Sequence, residues 1–208
     1  MGVITISREF GSGGRELGKR LADELGYAYY DKEIISKIAQ EVEMDEEYVE
    51  HMLSSGINKT FTITYGSSFA YPTYYQSNTT KLLLAQQKIL KRVALDGNCV
   101  IVGRSANAVL KDIHSFDIFV YADMDSKVKR CLDRALPEED LNENKVRKMI
   151  KDIDKSRVKQ HELYSDLKWG DKRGYHLCVD TSYVSIKEIT HVVAEYVKVW
   201  FKEQNKIK

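Results

Sequence analysis

Five short apolar runs are spaced along the chain, and each leads through a turn into a stretch with helical periodicity. The runs are VITIS (Val3–Ser7), YAYYD (Tyr27–Asp31), NCVIVGRS (Asn98–Ser105), SFDIFVYAD (Ser115–Asp123) and YHLCVDTS (Tyr175–Ser182). Between them lie RELGKRLADELG, KEIISKIAQEVEM, DEEYVEHML, TTKLLLAQQKILKRVALDG, DSKVKRCLDRAL and a long charged stretch, Asn142–Asp166. The last run is followed by an amphipathic segment, Ser185–Gln204. Strands that are apolar throughout and alternate with helices belong to a parallel sheet covered on both faces. The expectation is a three-layer α/β/α domain with a five-stranded parallel sheet. In such sheets ligands bind outside the carboxyl ends of the strands.

Local signals refine this plan. Leu17, Leu21 and Leu25 share one helical face, and Gly26 is the stop. Asp45 is an expected N-cap for the third helix, and Asp125 or Ser126 for the one beginning near residue 125. Residues Thr60–Thr80 carry no charged side chain but hold Phe61, Tyr65, Phe69, Tyr71, Tyr74 and Tyr75. They suit a mobile flap or a subunit contact better than a base-stacking pocket, so a homo-oligomer stays open. Trp169 and Gly170 are expected to shape the turn before the last strand.

Composition excludes several classes. The net charge is +1, which makes no case for nucleic acid or an anionic membrane as partner. No apolar run approaches membrane-spanning length. MGVITIS is too short and lacks the basic start of a secretory leader, and Ile6 breaks a myristoylation signal at Gly2. Cys99, Cys131 and Cys178 are scattered, as in a reducing, cytoplasmic setting with buried thiols, and no Cys or His stands at metal-ligand spacing. His51, His114, His161, His176 and His191 show no shared arrangement and read as structural or exposed.

The segment ISREFGSGGRELGKRL joins the first strand to the first helix through Gly11, Ser12, Gly13 and Gly14. A glycine-rich approach to a helix N-terminus lets several amides converge on one anion. The phosphate-loop pattern is G-x-x-x-x-G-K-[ST]. With Gly14 on the second glycine, Glu9 stands for the first glycine, Arg15 for the lysine and Glu16 for the hydroxyl that holds magnesium. Arg15 can still grip phosphate, and bidentately. Taken alone, the turn also fits a tight strand-to-helix connection without ligand. Arg104, after a buried strand and Gly103, points to an anion site rather than to a surface arginine paired with an acid, which is the other reading. Asp31 either faces a ligand or caps the following helix. On composition alone, Arg130 and Arg134 form a solvated helix face, and Lys155 and Arg157 sit in a stretch of mixed charge.

Taken with VIVGRSA (100–106), DKSRVKQHELYSD (154–166) and WGDKRGYHLCVDTS (169–182), the block ISREFGSGGRELGKRLADELGYAYYDKEII (6–35) resembles the cytidylate kinase-like family, and the resemblance runs nearly the whole chain in order. It implies a nucleoside monophosphate kinase of P-loop fold. A single domain of 208 residues would have its core at 1–32, 97–130 and 174–208. An acceptor-binding insertion would span about 33–96 and a lid about 131–173. It implies ATP as donor, Mg²⁺, and CMP or dCMP as acceptor. Gly11, Ser12, Gly13, Gly14, Arg15, Glu16, Arg130 and Arg134 would meet the donor phosphates, with Glu16 a candidate for Mg²⁺. Asp31 and Arg104 would hold the acceptor. Arg15, Lys155 and Arg157 would carry charge in the transition state. Departures from the loop pattern leave a second reading open, a nucleotide-binding protein without efficient transfer. A third is a kinase for another small acceptor.

Overall fold

The computed structural model of the protein describes residues 2–54, 72–136 and 138–207. Five strands, β1 (Val3–Arg8), β2 (Ala28–Tyr30), β3 (Cys99–Val102), β4 (Ser115–Tyr121) and β5 (Leu177–Asp180), form one sheet of order β2-β3-β1-β4-β5. All its pairings are parallel. The register sets Val3 against Cys99 on one side and Ser115 on the other. The connections carry α1 (Gly14–Leu25), α2 (Glu33–Val42), α3 (Glu46–Ser54), α4 (Pro72–Leu95), α5 (Ala106–Val109), α6 (Met124–Leu132), α7 (Glu143–Glu162) and α8 (Ile186–Ile207).

Strand alternation makes the layers. Ile4, Ile6, Val100, Val102, Phe116 and Ile118 turn to one face and pack with Leu17 and Leu21 of α1 and Ala194 and Val197 of α8. Val3, Cys99 and Ile101 turn to the other face and meet Ile34 and Ile38 of α2 and Leu82 and Ile89 of α4. Each fully buried leucine or isoleucine contributes about 1.5–3 kcal/mol. A smaller cluster of Val128, Val146 and Ile150 joins α6 to α7, beside Phe10.

Helix α1 approaches the sheet closely because Gly18 lies against it. A Cβ there would stand 2.8 Å from Val102 Cγ2. The helix stops at Gly26, whose φ is +67°, as its periodicity requires. Asp45 caps α3, accepting from the amides of Glu47 (2.9 Å) and Tyr48 (3.1 Å).

Five local expectations need correction or bounding. The cap of α6 is Asp123, which accepts from Ser126 N at 2.7 Å, and neither Asp125 nor Ser126. Asp31 does not cap α2, whose N-cap residue is Lys32. Helix α4 starts at Pro72 rather than Thr79, with proline at a first-turn position where its missing N–H costs nothing. The aromatic segment up to residue 71 lies outside the described residues, and so do the side chains of 72–78. Finally, Cys99 is buried, but Cys178 is exposed on edge strand β5 and Cys131 is half-buried. The apolar run correctly located β5, but an edge strand keeps less cover than a central one.

Among the described residues, no helix is long and apolar enough to cross a membrane.

Candidate active site

Strand β1 ends at Arg8, and residues 9–13 turn the chain into α1. Gly11 (φ +77°) and Gly13 (φ +82°) take left-handed conformations that favour glycine. The turn is tied down from three sides. Glu9 N donates to Val120 O (2.9 Å), Ser12 Oγ donates to Glu9 O (2.8 Å), and Thr181 Oγ1 donates to Ser12 O (2.7 Å). The first bond of the helix runs from Leu17 N to Gly13 O (2.9 Å). The amides of Gly14, Arg15 and Glu16 therefore stand outside the helix's own ladder, at its positive end.

A second turn lies alongside. Gly103 N donates to Ile6 O (2.9 Å), which fixes the end of β3 to the end of β1. Gly103, Arg104 and Ser105 have φ of +84°, +57° and +52°. A left-handed arginine is strained and must be held by its surroundings. Gln86, fully buried on α4, donates from Nε2 to Arg104 O (3.3 Å).

Between the turns sits Asp31, buried at the end of β2. Its Oδ2 is 2.6 Å from Arg15 Nε and its Oδ1 is 3.8 Å from Arg8 Nη2. Arg157, from α7, donates to Arg8 O (2.8 Å) and pairs with Asp154 (3.2 Å). Arg104 pairs at 4.0 Å with Glu50. Burial, and then the Arg157 guanidinium, pushes Arg8 down to about 9, against the pull of Asp31, and Arg104 and Arg15 push the same way. Burial lowers Arg104 and Arg157 too, each partly offset by its carboxylate. Several cations are thus gathered where positive charge is unfavourable, a condition that an incoming anion relieves.

The loop is fastened to α6 and α7 by a charge chain. Lys127, almost wholly buried, meets Glu9 at 2.8 Å and Asp154 at 4.0 Å. Asp154 also accepts from Phe10 N (2.8 Å), and burial raises its carboxyl. Helix α7 therefore reaches the loop through Asp154 and Arg157. Lys155 is exposed and does not join them. Two residues along a helix turn the side chain by roughly 200°, which carries Lys155 to the opposite side from Arg157.

Arg130 donates to Thr181 O, and to Gly11 O at 3.5 Å. It holds the backbone of the loop. Arg134 pairs with Glu16, which also meets Arg20 at 2.9 Å. Although burial raises it, the hydrogen bonds from Arg20 and Arg134 keep the Glu16 carboxyl below its ordinary range. A magnesium ion at Glu16 would have to displace a guanidinium, and among the described residues no group of three His, Cys, Asp or Glu could hold a metal. As it stands, Glu16 is paired with Arg20 and Arg134 and does not offer a free carboxylate to magnesium.

The structure thus brings together Gly11, Ser12, Gly13, Gly14, Arg15, Asp31, Arg104 and Arg157. It places Glu16, Arg130 and Arg134 on the flank of the loop and leaves Lys155 outside. Sequence reasoning missed Arg8, Asp154, Lys127 and Gln86. Arg8 had a signal: it is the charged residue that ends a central apolar strand, at the edge where such sheets bind ligands.

The sheet order, the glycine loop between β1 and α1 and the cations at the strand ends define a P-loop kinase fold of the nucleoside monophosphate kinase type. The chain belongs to the cytidylate kinase-like family, whose profile matches residues 3–183. An uncharacterized protein from Eubacterium ventriosum is similar in structure (TM-score 0.67, 26% identity, 95% of this chain and 99% of that one). So is shikimate kinase from Bacteroides thetaiotaomicron (0.56, 12%, 95% and 98%). Shikimate kinase from Acinetobacter baumannii, solved with shikimate, follows (0.51, 13%, 100% and 96%). At these identities the shikimate kinases show the fold alone. No curated protein sequence matches the chain.

Proposed function

We propose that this protein transfers the γ-phosphoryl group of ATP to a nucleoside monophosphate, with CMP or dCMP as the acceptor. The observation that carries the reading is the convergence of Arg8, Arg15, Arg104 and Arg157 on Asp31, beside the loop that opens α1. Two polyanionic substrates repel each other, and transfer between them needs charge neutralisation and alignment rather than a protein nucleophile. The amides of Gly14, Arg15 and Glu16 suit the donor phosphates, with Arg15 close at hand. Arg104, on its strained turn near the Asp31 end of β2, suits the acceptor phosphate. Arg157, on the helix pinned to the loop, suits the charge between them. The family match supports the acceptor class. Mg²⁺ would arrive with the nucleotide and supply further neutralisation of its phosphates. On this reading the protein would act in the cytoplasm, with free nucleotides as its partners.

The test is a coupled assay with ATP and Mg²⁺ across the ribo- and deoxyribonucleoside monophosphates, with Arg104→Ala as control. Turnover with CMP or dCMP that falls about a hundredfold or more in the variant supports the reading, a loss typical of removing a transition-state cation. Turnover with a different monophosphate alone would move the acceptor. Nucleotide binding without any turnover would favour the binding protein instead.

A further inference from the structure

The phosphate-loop pattern requires a cation immediately after its last glycine, at the first residue of the helix. In this protein the left-handed glycine that precedes the helix is Gly13, and the helix opens at Gly14. Counting from Gly13 puts the lysine position on Gly14 and the first glycine position on Arg8. Each position has the residue type that belongs to the other. Glycine stands where the cation is expected, and arginine where glycine is expected.

The packing explains how the exchange is accommodated. A Cβ at Gly14 would lie 2.5 Å from Arg8 Cβ and 3.0 Å from its Cγ. A Cβ at Gly103 would lie 2.0 Å from Arg8 Nη1. The Arg8 side chain therefore passes over the bare α-carbon of Gly14 and ends on the bare α-carbon of Gly103. These two glycines form a track that delivers a guanidinium to the crevice between the loop and the Gly103–Arg104 turn. The Arg8 side chain is only 15% exposed, while that of Arg15 is 60% exposed and locked to Asp31 at 2.6 Å. The carboxylate nearest Arg8, at 3.8 Å, is the same Asp31.

We propose that Arg8 is the phosphoryl-binding cation of this loop: reaching the crevice from the end of β1, it takes the place of the absent lysine, and Asp31 is its counter-ion until a phosphate arrives. A guanidinium fixed in a low-dielectric site offers two parallel donors to one phosphate group without reorganising. This rests on the kinase reading for its context, but a simple inorganic anion tests it separately.

The experiment is titration calorimetry of the full chain with inorganic pyrophosphate, using wild type, Arg8→Gln, Arg8→Lys, Arg15→Gln and Asp31→Asn. Removing a charged hydrogen-bond donor predicts that Arg8→Gln weakens binding about tenfold or more. Arg8→Lys should recover part of that loss, and Arg15→Gln should cost less than Arg8→Gln. Asp31→Asn should tighten binding, because it removes the competing carboxylate. If Arg8→Gln proves too unstable to titrate, Asp31→Asn measured on the Arg15→Gln background decides, and unchanged or weaker affinity there overturns the proposal. So does an Arg8→Gln affinity equal to wild type, or a wild type that binds no pyrophosphate. A protein that binds pyrophosphate through Arg8 but phosphorylates no monophosphate would overturn the kinase reading and leave this assignment standing.

Discussion

Replacing Gly103 by alanine isolates the contact on which the Arg8 site depends. Two costs are expected. The backbone there has φ of +84°, and a Cβ in the left-handed region costs about 1–2 kcal/mol. The new carbon would also stand 2.0 Å from Arg8 Nη1 and 2.8 Å from Cζ, so the guanidinium must leave its seat. Moving a buried charged donor from its counter-ion adds about 1–3 kcal/mol. The total is about 2–5 kcal/mol, or a fall in Tm of roughly 5–15 °C for a domain of this size. Urea unfolding of wild type, Gly103→Ala, Arg8→Ala and the double variant separates the two terms. With Arg8 shortened the clash is absent, and Gly103→Ala should cost only its backbone share. The pair should couple by about 1 kcal/mol or more. If the two changes add to within about 0.5 kcal/mol, they do not touch in solution, and the track of glycines is wrong.

Thiol labelling checks the layers: Cys178 should react first and Cys131 more slowly. Cys99, whose thiol burial pushes up to about 11, should react only on unfolding. Labelling of Cys99 as fast as Cys178 would contradict the buried β3. His161, buried on α7, has its ionisation pushed below the ordinary 6.5 by burial, against a bond to the backbone of Leu167. The unfolded chain then binds the proton more readily than the folded one, so stability is full above 6.5 and falls as pH drops from there towards the folded value. Urea midpoints at pH 7.5 and 5.5 should differ more for wild type than for His161→Gln, and equal differences would refute the assignment.

Much of the fold was legible because its signals are local. Each strand holds a short run of apolar residues, and Leu17 and Leu21 lie a turn apart on the face of α1 that the sheet covers. The stop at Gly26 needed only one residue type. The misses arise where tertiary partners decide. Asp125 and Ser126 are as good cap residues as Asp123, but only Asp123 is positioned to accept from Ser126 N. Cys178, like Cys99, sits in an apolar run, and only the strand order reveals that β5 is an edge.

The site was harder to read, and Arg8 shows why. A motif is a line of residue types, but an anion site is a set of positions in space. The distance from Arg8 to Gly103 in sequence is long, and nothing local links them. In space the missing side chain at one is the room for the other, as the 2.0 Å approach requires. The loop pattern was therefore judged deficient when read along the chain, at Glu9, Arg15 and Glu16. Judged across the sheet, the charge has been moved from the start of the helix to the end of the strand. Asp31 is intelligible in the same terms. Beside a helix opening and among arginines, a buried carboxylate keeps the ligand-free cluster compact, and it yields that role to any phosphate that binds more guanidinium groups at once.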